Sequence, residues 1–268
     1  MNKPKYYDNI ASIYDQTRWL TETVAEEVTD FIINLTHATP QTSFLEPGVG
    51  TGLNVLPLVK RGYSVTGIDI SGAMLEQFRQ KLNGIPTNLH LILADASQLP
   101  FLDRSFDVVL TTHMIHTVNN WRAFLNDINR VLKPGGYYLN CQWITPPARK
   151  EFEGYFRSIL ANYETSKKEG KLLDTALQEI DVEGYLKTQG FSSEYFIAQE
   201  WIVDNTVEEL LNYFKSRAYG LCWLASDEIF DKIMSEFEAF CINHYGSLDT
   251  SISSKAKFEI WAYTTISN

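Results

Sequence analysis

The sequence is poor in the features that mark secreted and membrane proteins. It has only three cysteines in 268 residues, Cys141, Cys222 and Cys241, and their spacing matches neither a disulfide framework nor a paired metal site. It has no uninterrupted apolar run of the roughly 20 residues that a membrane helix needs, and its first residues lack the apolar stretch of a signal peptide. We therefore expect a cytoplasmic protein with no membrane partner, whose cysteines pack in the core.

Positive charge is also scarce. The chain has 33 acidic against 23 basic residues and a net charge of -10, which opposes binding to phosphate backbones. Apolar residues make up 44% of the sequence, enough for a full core. No Pro-, Gly- or Ser-rich linker divides the chain, so we expect one domain over 1–268, acting as a monomer or homodimer on a small molecule and not on nucleic acid.

From residue 43, short apolar β-type runs alternate with helical patterns. This alternation predicts an α/β protein with a parallel sheet and crossover helices. The predicted strands are 43–46, 64–69, 89–94, 106–111, 136–143, 191–203 and 257–266. The predicted helices include 72–82, 121–132, 147–165, 170–189, 206–217 and 227–245.

Three alternating glycines, Gly48, Gly50 and Gly52, follow the first predicted strand and lead into a helix. Such glycines let backbone approach a ligand closely, although an ordinary tight turn would have the same pattern. A dinucleotide fingerprint would need a glycine where Leu53 stands, and no Walker A lysine follows. Glu46 places a carboxylate beside the loop, which suits an amino acid or sulfonium better than a pyrophosphate.

The next two predicted strands also end in acidic residues. Asp69 follows the second strand, where a carboxylate suits the two hydroxyls of a ribose. Asp95 follows the third strand and is suited to accept a hydrogen bond from an adenine amino group. Asp69 alone fits NAD and S-adenosylmethionine equally well, whereas Asp95 and the mismatch at Leu53 disfavour an NAD-dependent oxidoreductase.

In combination these motifs resemble the class I S-adenosylmethionine-dependent methyltransferases, specifically the small-molecule group with the ubiquinone/menaquinone C-methyltransferases and the trans-aconitate methyltransferases. The resemblance spans about residues 44–143 and is preceded by a similar segment, Tyr7–Asp15 with Arg18, which resembles a mobile cap over the cofactor. The segments that carry the resemblance are Glu46–Gly52, Asp69–Ser71 with Met74 and Leu75, Asp95–Phe101, Phe106–Val109 and Leu132–Gly136.

The resemblance implies a Rossmann-like, seven-stranded, mostly parallel sheet with an antiparallel last strand, helices on both faces and helical cap insertions. It divides the domain into N-terminal cap helices (1–42), a cofactor-binding core (43–145) and acceptor-side helices with the last two strands (146–268). The implied cofactor is S-adenosyl-L-methionine.

The resemblance also implies roles for particular residues. The loop from Gly48 to Gly52 would lie against the methionine part, Asp69 would bind the ribose, and Ile70 and Met74 would flank the adenine. Asp95 would accept from the adenine amino group and Ala96 would offer its backbone N–H. The full set of expected cofactor contacts is Arg18, Glu46, Gly48, Gly50, Gly52, Asp69, Ile70, Met74, Asp95, Ala96 and Thr111.

Methyl transfer from a sulfonium is a displacement on an activated carbon, so alignment and exclusion of water are the protein's main tasks. His113 and His116 follow the fourth predicted strand and are the candidate general bases, with a structural or cofactor-side role as the alternative. As a metal site, an i, i+3 histidine pair is weak evidence, and we expect no metal. Tyr219 and Trp223 are candidates for lining an acceptor pocket, with core or lid packing as the alternative. Arg217 is a candidate for binding an acceptor carboxylate, although its position favours the alternative of a solvated arginine at a helix end.

We therefore expect an enzyme that methylates an O, N or C atom of a small molecule, with a carboxylate or a phenol- or quinone-like compound as candidate acceptor. The alternative is a catalytically silent S-adenosylmethionine-binding protein that regulates or scaffolds a partner.

Overall fold

The computed structural model describes residues 3–163 and 180–265 of the chain. Seven strands lie in these residues: β1 (Ser43–Pro47), β2 (Ser64–Asp69), β3 (Leu89–Leu93), β4 (Phe106–Thr112), β5 (Leu132–Ile144), β6 (Phe191–Thr206) and β7 (Ser251–Thr265). They form one sheet in the order β3-β2-β1-β4-β5-β7-β6.

The sheet is mostly parallel. Strands β1 to β5 pair in parallel, whereas β7 pairs antiparallel to both β5 and β6. The predicted fold class, with its antiparallel last strand, is therefore confirmed. The strand order reverses between β1 and β4, and ligands of open α/β sheets bind outside the carboxyl ends of strands at such a point.

Nine α-helices lie in the described residues: α1 (Lys3–Ile10), α2 (Glu22–Leu35), α3 (Leu56–Lys60), α4 (Gly72–Gln80), α5 (Trp121–Val131), α6 (Pro147–Tyr163), α7 (Val182–Thr188), α8 (Val207–Lys215) and α9 (Asp227–Tyr245). The helices predicted in these regions are present, with ends that differ by a few residues. Residues 164–165 and 170–179 of the predicted helices, and 266 of the last strand, lie outside the described residues.

Helices cover both faces of the sheet because neighbouring residues of a strand point to opposite faces. On β1, Phe44 packs into a cluster with Val28 of α2, whereas Leu45 packs on the other face with Leu125 of α5. All four side chains are 4% exposed or less. No helix of the described part of the chain is long and apolar enough to cross a membrane.

A third apolar cluster joins α6, α8 and α9. The rings of Phe156 and Phe214 lie 4.7 Å apart, and Phe156 and Phe237 lie 5.3 Å apart. Full burial of such a side chain contributes about 2–3 kcal/mol. This cluster fixes α6 beside the carboxyl edge of the sheet.

Strand β5 begins earlier than predicted. Residues 133–136 form an irregularity in its pairing with β4, at the register shift between Phe106 and Val108. Gly135 adopts a φ of +75° there, which glycine tolerates without strain. The helix before it ends at Val131, as the Lys-Pro-Gly-Gly sequence predicts. The three cysteines are buried, as predicted.

Candidate functional site

A cavity of about 750 Å³ lies at the carboxyl ends of β1, β2 and β4. Its walls come from the loops after these strands, from the N-terminal residues 6–19, and from α6 and the segment near Tyr219. The structure brings most of the predicted site residues together in its lining: Arg18, Gly48, Gly50, Asp69, Ile70, Met74, Asp95, Ala96, His113 and His116.

The glycine loop curls tightly over the end of β2. The backbone N–H groups of Gly48 and Val49 both donate to the carbonyl of Ile68, with N···O distances of 2.8 and 2.9 Å. Gly48 and Gly50 adopt φ values of +73° and +55°, a region that side chains disfavour. The loop therefore presents backbone, without side chains at these two positions, to the cavity.

Asp69 organises this loop as well as facing the cavity. One carboxylate oxygen accepts from the N–H of Gly50 and the other from the N–H of Ser71, each at 2.8 Å. The residue is 9% exposed, and burial raises the pKa of its carboxyl. Each oxygen keeps a second lone pair, so hydroxyl groups of a ligand can still be accepted.

The loop after β3 offers an acceptor and a donor side by side. Asp95 accepts from the N–H of Ser97 at 2.8 Å. Among the described residues the adjacent N–H of Ala96 has no hydrogen-bond acceptor. Ile70 is an apolar side chain that is 45% exposed on the same wall. This combination suits the polar edge and apolar face of a heterocyclic base.

Glu46 does not line the cavity, which corrects the prediction that its carboxylate faces the ligand. It is 1% exposed. Its Oε1 accepts from Asn54 at 3.2 Å and from Thr112 at 3.3 Å, and its Oε2 has no partner in the described part of the protein. Burial raises the pKa of Glu46 to about 8, so the side chain is mainly protonated at neutral pH.

Thr111 and Gly52 also lie away from the cavity. Thr111 is fully buried with its hydroxyl 3.0 Å from that of Tyr138, because it points to the opposite face of β4 from Thr112, which does line the cavity. An added Cβ at Gly52 would lie 2.4 Å from the Phe78 ring. Gly52 therefore permits the close packing of α4.

The two histidines differ in their surroundings. Nε2 of His113 accepts from the backbone N–H of Trp143 at 3.2 Å, and burial lowers the pKa of His113 to about 4. The ring is thus neutral with its accepting nitrogen in use, which argues against a role as general base. His116 lines the same cavity.

Residues 6–19 cover the cavity and are held there by contacts with residues far away in the sequence. Ser71 donates to Asp8, and Thr51 donates to Asp15. Asp15 also forms an ion pair with Lys81. These contacts hold the N-terminal residues against the glycine loop and α4.

Two charged residues that the sequence does not predict as site residues, Arg149 and Glu153, lie on α6 next to the cavity wall. Arg149 is 4% exposed and donates to the carbonyl of Thr17 at 2.9 Å and to the hydroxyl of Tyr219. Glu153 lines the cavity. The two residues are one turn apart on α6, and no sequence motif distinguishes them from the other charges of that helix.

Of the predicted acceptor-side residues, only Tyr219 lines the cavity. Trp223 packs its ring against that of Tyr6 at 5.6 Å. Arg217 forms an ion pair with Asp227 at 2.8 Å, which accounts for its charge. The prediction that Arg217 binds an acceptor is therefore not supported.

Comparison with known proteins agrees with this fold and site. Residues 45–140 match the family described as a methyltransferase domain. A demethylmenaquinone methyltransferase of Clavibacter sepedonicus is 31% identical over 57% of this chain and 64% of its own. A ubiquinone/menaquinone biosynthesis C-methyltransferase of Vibrio parahaemolyticus is 35% identical over 48% of this chain and 53% of its own. The chain thus spans less than two thirds of these curated relatives.

Among solved structures, a phosphoethanolamine N-methyltransferase 2 of Haemonchus contortus has the same fold, with a TM-score of 0.57 and 16% identity over 99% of this chain and 59% of its own. The strand order and this likeness show a Rossmann-like fold that is shared with solved methyltransferases. Within this fold, the family match places a methyltransferase domain at residues 45–140.

Proposed function

We propose that the protein binds S-adenosyl-L-methionine at the carboxyl edge of β1–β3 and transfers its methyl group to a small molecule. The observation that carries this is the arrangement of one cavity. The glycine backbone, the Asp69 carboxylate and the Asp95–Ala96 pair line the same space in the order that the family motifs require. Its volume of about 750 Å³ lies within the range of small-molecule sites.

The residues present fit this cofactor. The free N–H of Ala96 beside the Asp95 carboxylate suits the adenine edge, with Ile70 and Met74 as its apolar neighbours. Asp69 would bind the ribose hydroxyls and Gly48 and Gly50 would contact the methionine part. Arg18 is suited to the methionine carboxylate, because its guanidinium lines the cavity and forms no salt bridge with any described carboxylate. When bound, the cofactor supplies an electrophilic methyl group on a sulfonium.

The chain's own contribution is then orientation and exclusion of water. The hydrogen bonds from Ser71 to Asp8 and from Thr51 to Asp15 hold residues 6–19 over the cavity. Alignment of reacting groups in such a closed site supplies much of a displacement's rate enhancement. His116 stays the candidate base, and His113 is better described as a support for the β5 backbone at Trp143.

For the acceptor we propose a phenol- or quinone-like compound, with a carboxylate as second candidate. Aromatic side chains line much of the cavity, which suits an acceptor with an apolar ring; they include Tyr6, Tyr14, Trp19, Trp143 and Tyr219. The printed names of the curated relatives concern quinones. The acidic composition supports an enzyme that does not act on nucleic acid.

Transfer of label from S-[methyl-³H]adenosylmethionine into a metabolite extract tests the proposal. We expect labelled small-molecule product with the wild-type protein and much less with Asp69→Ala. Binding of cofactor without any labelled product would instead support the silent, regulatory alternative. Mass spectrometry of the labelled fraction would identify the acceptor.

A further inference from the structure

One carboxylate at the acceptor end of the cavity has no partner. Glu153 lies on α6, the helix that follows β5. Asp95 follows β3, and three strands separate β3 from β5 in the sheet. Glu153 lines the cavity, and no described residue forms a hydrogen bond or salt bridge with it. A half-buried carboxylate that accepts no hydrogen bond costs folding free energy unless a ligand donates one to it.

Three aromatic rings of the cavity lining are already covered by arginine side chains of the chain itself. The guanidinium of Arg18 lies 4.1 Å from the ring centroid of Tyr14, and that of Arg149 lies 4.8 Å from the ring of Trp19. Both guanidiniums also approach Tyr219, at 5.8 and 5.5 Å. These faces are therefore unavailable as a cage for a cationic acceptor, which the two arginines would also repel.

Neither arginine is neutralised by a carboxylate contact. Within the described residues, no Asp or Glu lies within salt-bridge distance of Arg18 or Arg149. The Nε of Arg149 is buried without a partner. Positive charge held in a poorly solvated wall stabilises a negative charge that develops beside it. The acceptor end thus combines a proton acceptor with an environment that favours an anion.

We propose that Glu153 accepts the proton of an acidic hydroxyl group on the acceptor, of the phenol or enol class. The O–H bond of the acceptor breaks, the proton is transferred to a carboxylate oxygen of Glu153, and the electron pair stays on the acceptor oxygen. The resulting oxyanion is stabilised by the positive charge of Arg149, which donates to the cavity-lining Tyr219, while Arg18 stays available for the methionine carboxylate. The proton leaves Glu153 to solvent after the reaction. This inference rests on the proposed function and specifies its acceptor.

The charged groups around Glu153 are compatible with this role. Burial raises the pKa of Glu153, whereas Arg149, Arg157 and Arg18 act to lower it. Tyr219 and Cys222 face it from the segment after α8, and burial raises the pKa of each to about 12, so both are neutral. A carboxyl whose pKa is above its ordinary value is a better proton acceptor than an exposed glutamate.

Binding to the S-adenosylhomocysteine-loaded protein tests the proposal without requiring turnover. The probes are 1-naphthol, its methyl ether 1-methoxynaphthalene, and the cationic 1-naphthylmethylamine, measured by calorimetry at pH 7.5. We expect naphthol to bind at least about tenfold more tightly than the ether, because a hydrogen bond to a charged acceptor is lost in the ether. Glu153→Gln should reduce this preference at least about threefold, since the neutral amide is a weaker acceptor.

Glu151→Gln is the matched control, because Glu151 lies on the same helix with its carboxylate bonded to Tyr155 at 2.7 Å. It should leave the naphthol preference unchanged. Equal binding of naphthol and ether, no binding of either, tighter binding of the amine, or an unchanged preference in Glu153→Gln would each overturn the inference. If the wild-type protein does not bind S-adenosylhomocysteine, the proposed function itself is refuted. The two failures are therefore distinguishable.

Discussion

The two ends of the cavity are held together by different kinds of contact. At the cofactor end, residues close in sequence bond to one another across a single βα turn, as Asp69 does with Ser71, or across neighbouring strands, as it does with Gly50. At the acceptor end, Arg149 joins Thr17 and Tyr219, which lie 132 and 70 residues from it along the chain. Local backbone geometry defines the first end, and long-range side-chain packing defines the second.

The difference predicts that the two ends tolerate substitution to different degrees. Backbone N–H groups and glycine turns depend on the sheet and tolerate few replacements. Side chains from three separate segments can be exchanged without disturbing the sheet. Substitutions in the two ends should therefore have different consequences.

The largest expected effect comes from overfilling the contact between the glycine loop and α4. Gly52→Val should destabilise the protein by about 4 kcal/mol, because it combines a strained φ of +73° with a clash against Phe78. Gly220→Ala at the acceptor end, where an added Cβ meets nothing within 4 Å, should cost less than about 0.5 kcal/mol. Urea unfolding measures the free energy of unfolding of both variants. Similar losses of stability would contradict the expected difference between the two ends.

The second effect is a pH dependence at the cofactor end. The pKa of Glu46 is about 8 in the folded protein and near 4.5 when unfolded, so the unfolded state releases its proton first. Wild-type stability should fall between pH 5 and pH 8, and Glu46→Gln should gain on the order of 3 kcal/mol relative to it over that range. Denaturant unfolding at several pH values measures this. A difference that does not vary with pH would mean that Glu46 is ionised in the fold.

A smaller effect concerns the affinity for S-adenosylhomocysteine, which should depend on the cofactor end and not on the acceptor end. Asp69→Ala should weaken binding of S-adenosylhomocysteine by about 2 kcal/mol, since charge-assisted bonds to the ribose and the anchor of Gly50 are both lost. Glu153→Gln should leave that affinity unchanged. Calorimetry on the two variants compares them, and an equal loss in both would show that the ends are not independent.

The smallest effect concerns His116. His116→Gln should keep kcat within about threefold of wild type, because alignment in a closed site does not require a histidine base. Single-turnover kinetics with labelled cofactor provide the measurement. A fall of about 10² in kcat with cofactor affinity retained would assign it the base role.

The sheet and the cofactor end could be predicted from sequence because their signals are local. Alternating apolar runs set the strands, and the glycines and acids stand at fixed distances after them. Thr111 points away from the cavity and Thr112 towards it, because a shift of one residue reverses the side on which a strand residue lies. The burial of Glu46 could not be predicted, because an acidic residue at a strand end has the same sequence pattern whether its side chain faces a ligand or the core.

The acceptor end could not be predicted in the same way. Nothing in the sequence near Arg149 or Glu153 indicates that Thr17 and Tyr219 pack against that turn of α6. Only the tertiary arrangement of three distant segments creates the contact. Tyr219 was selected because of its aromatic side chain and its place between two helices, whereas Arg217 satisfies its charge locally with Asp227.

Calorimetry of the wild-type protein with S-adenosylhomocysteine and, separately, with NAD tests the central claim most directly. Both ligands contain adenosine, so only the glycine loop and the acceptor end distinguish a methionine part from a pyrophosphate and nicotinamide. We predict a single site that binds S-adenosylhomocysteine at micromolar or lower concentration, about -8 kcal/mol or better, with no heat from NAD. Binding of NAD with no binding of S-adenosylhomocysteine would contradict the account.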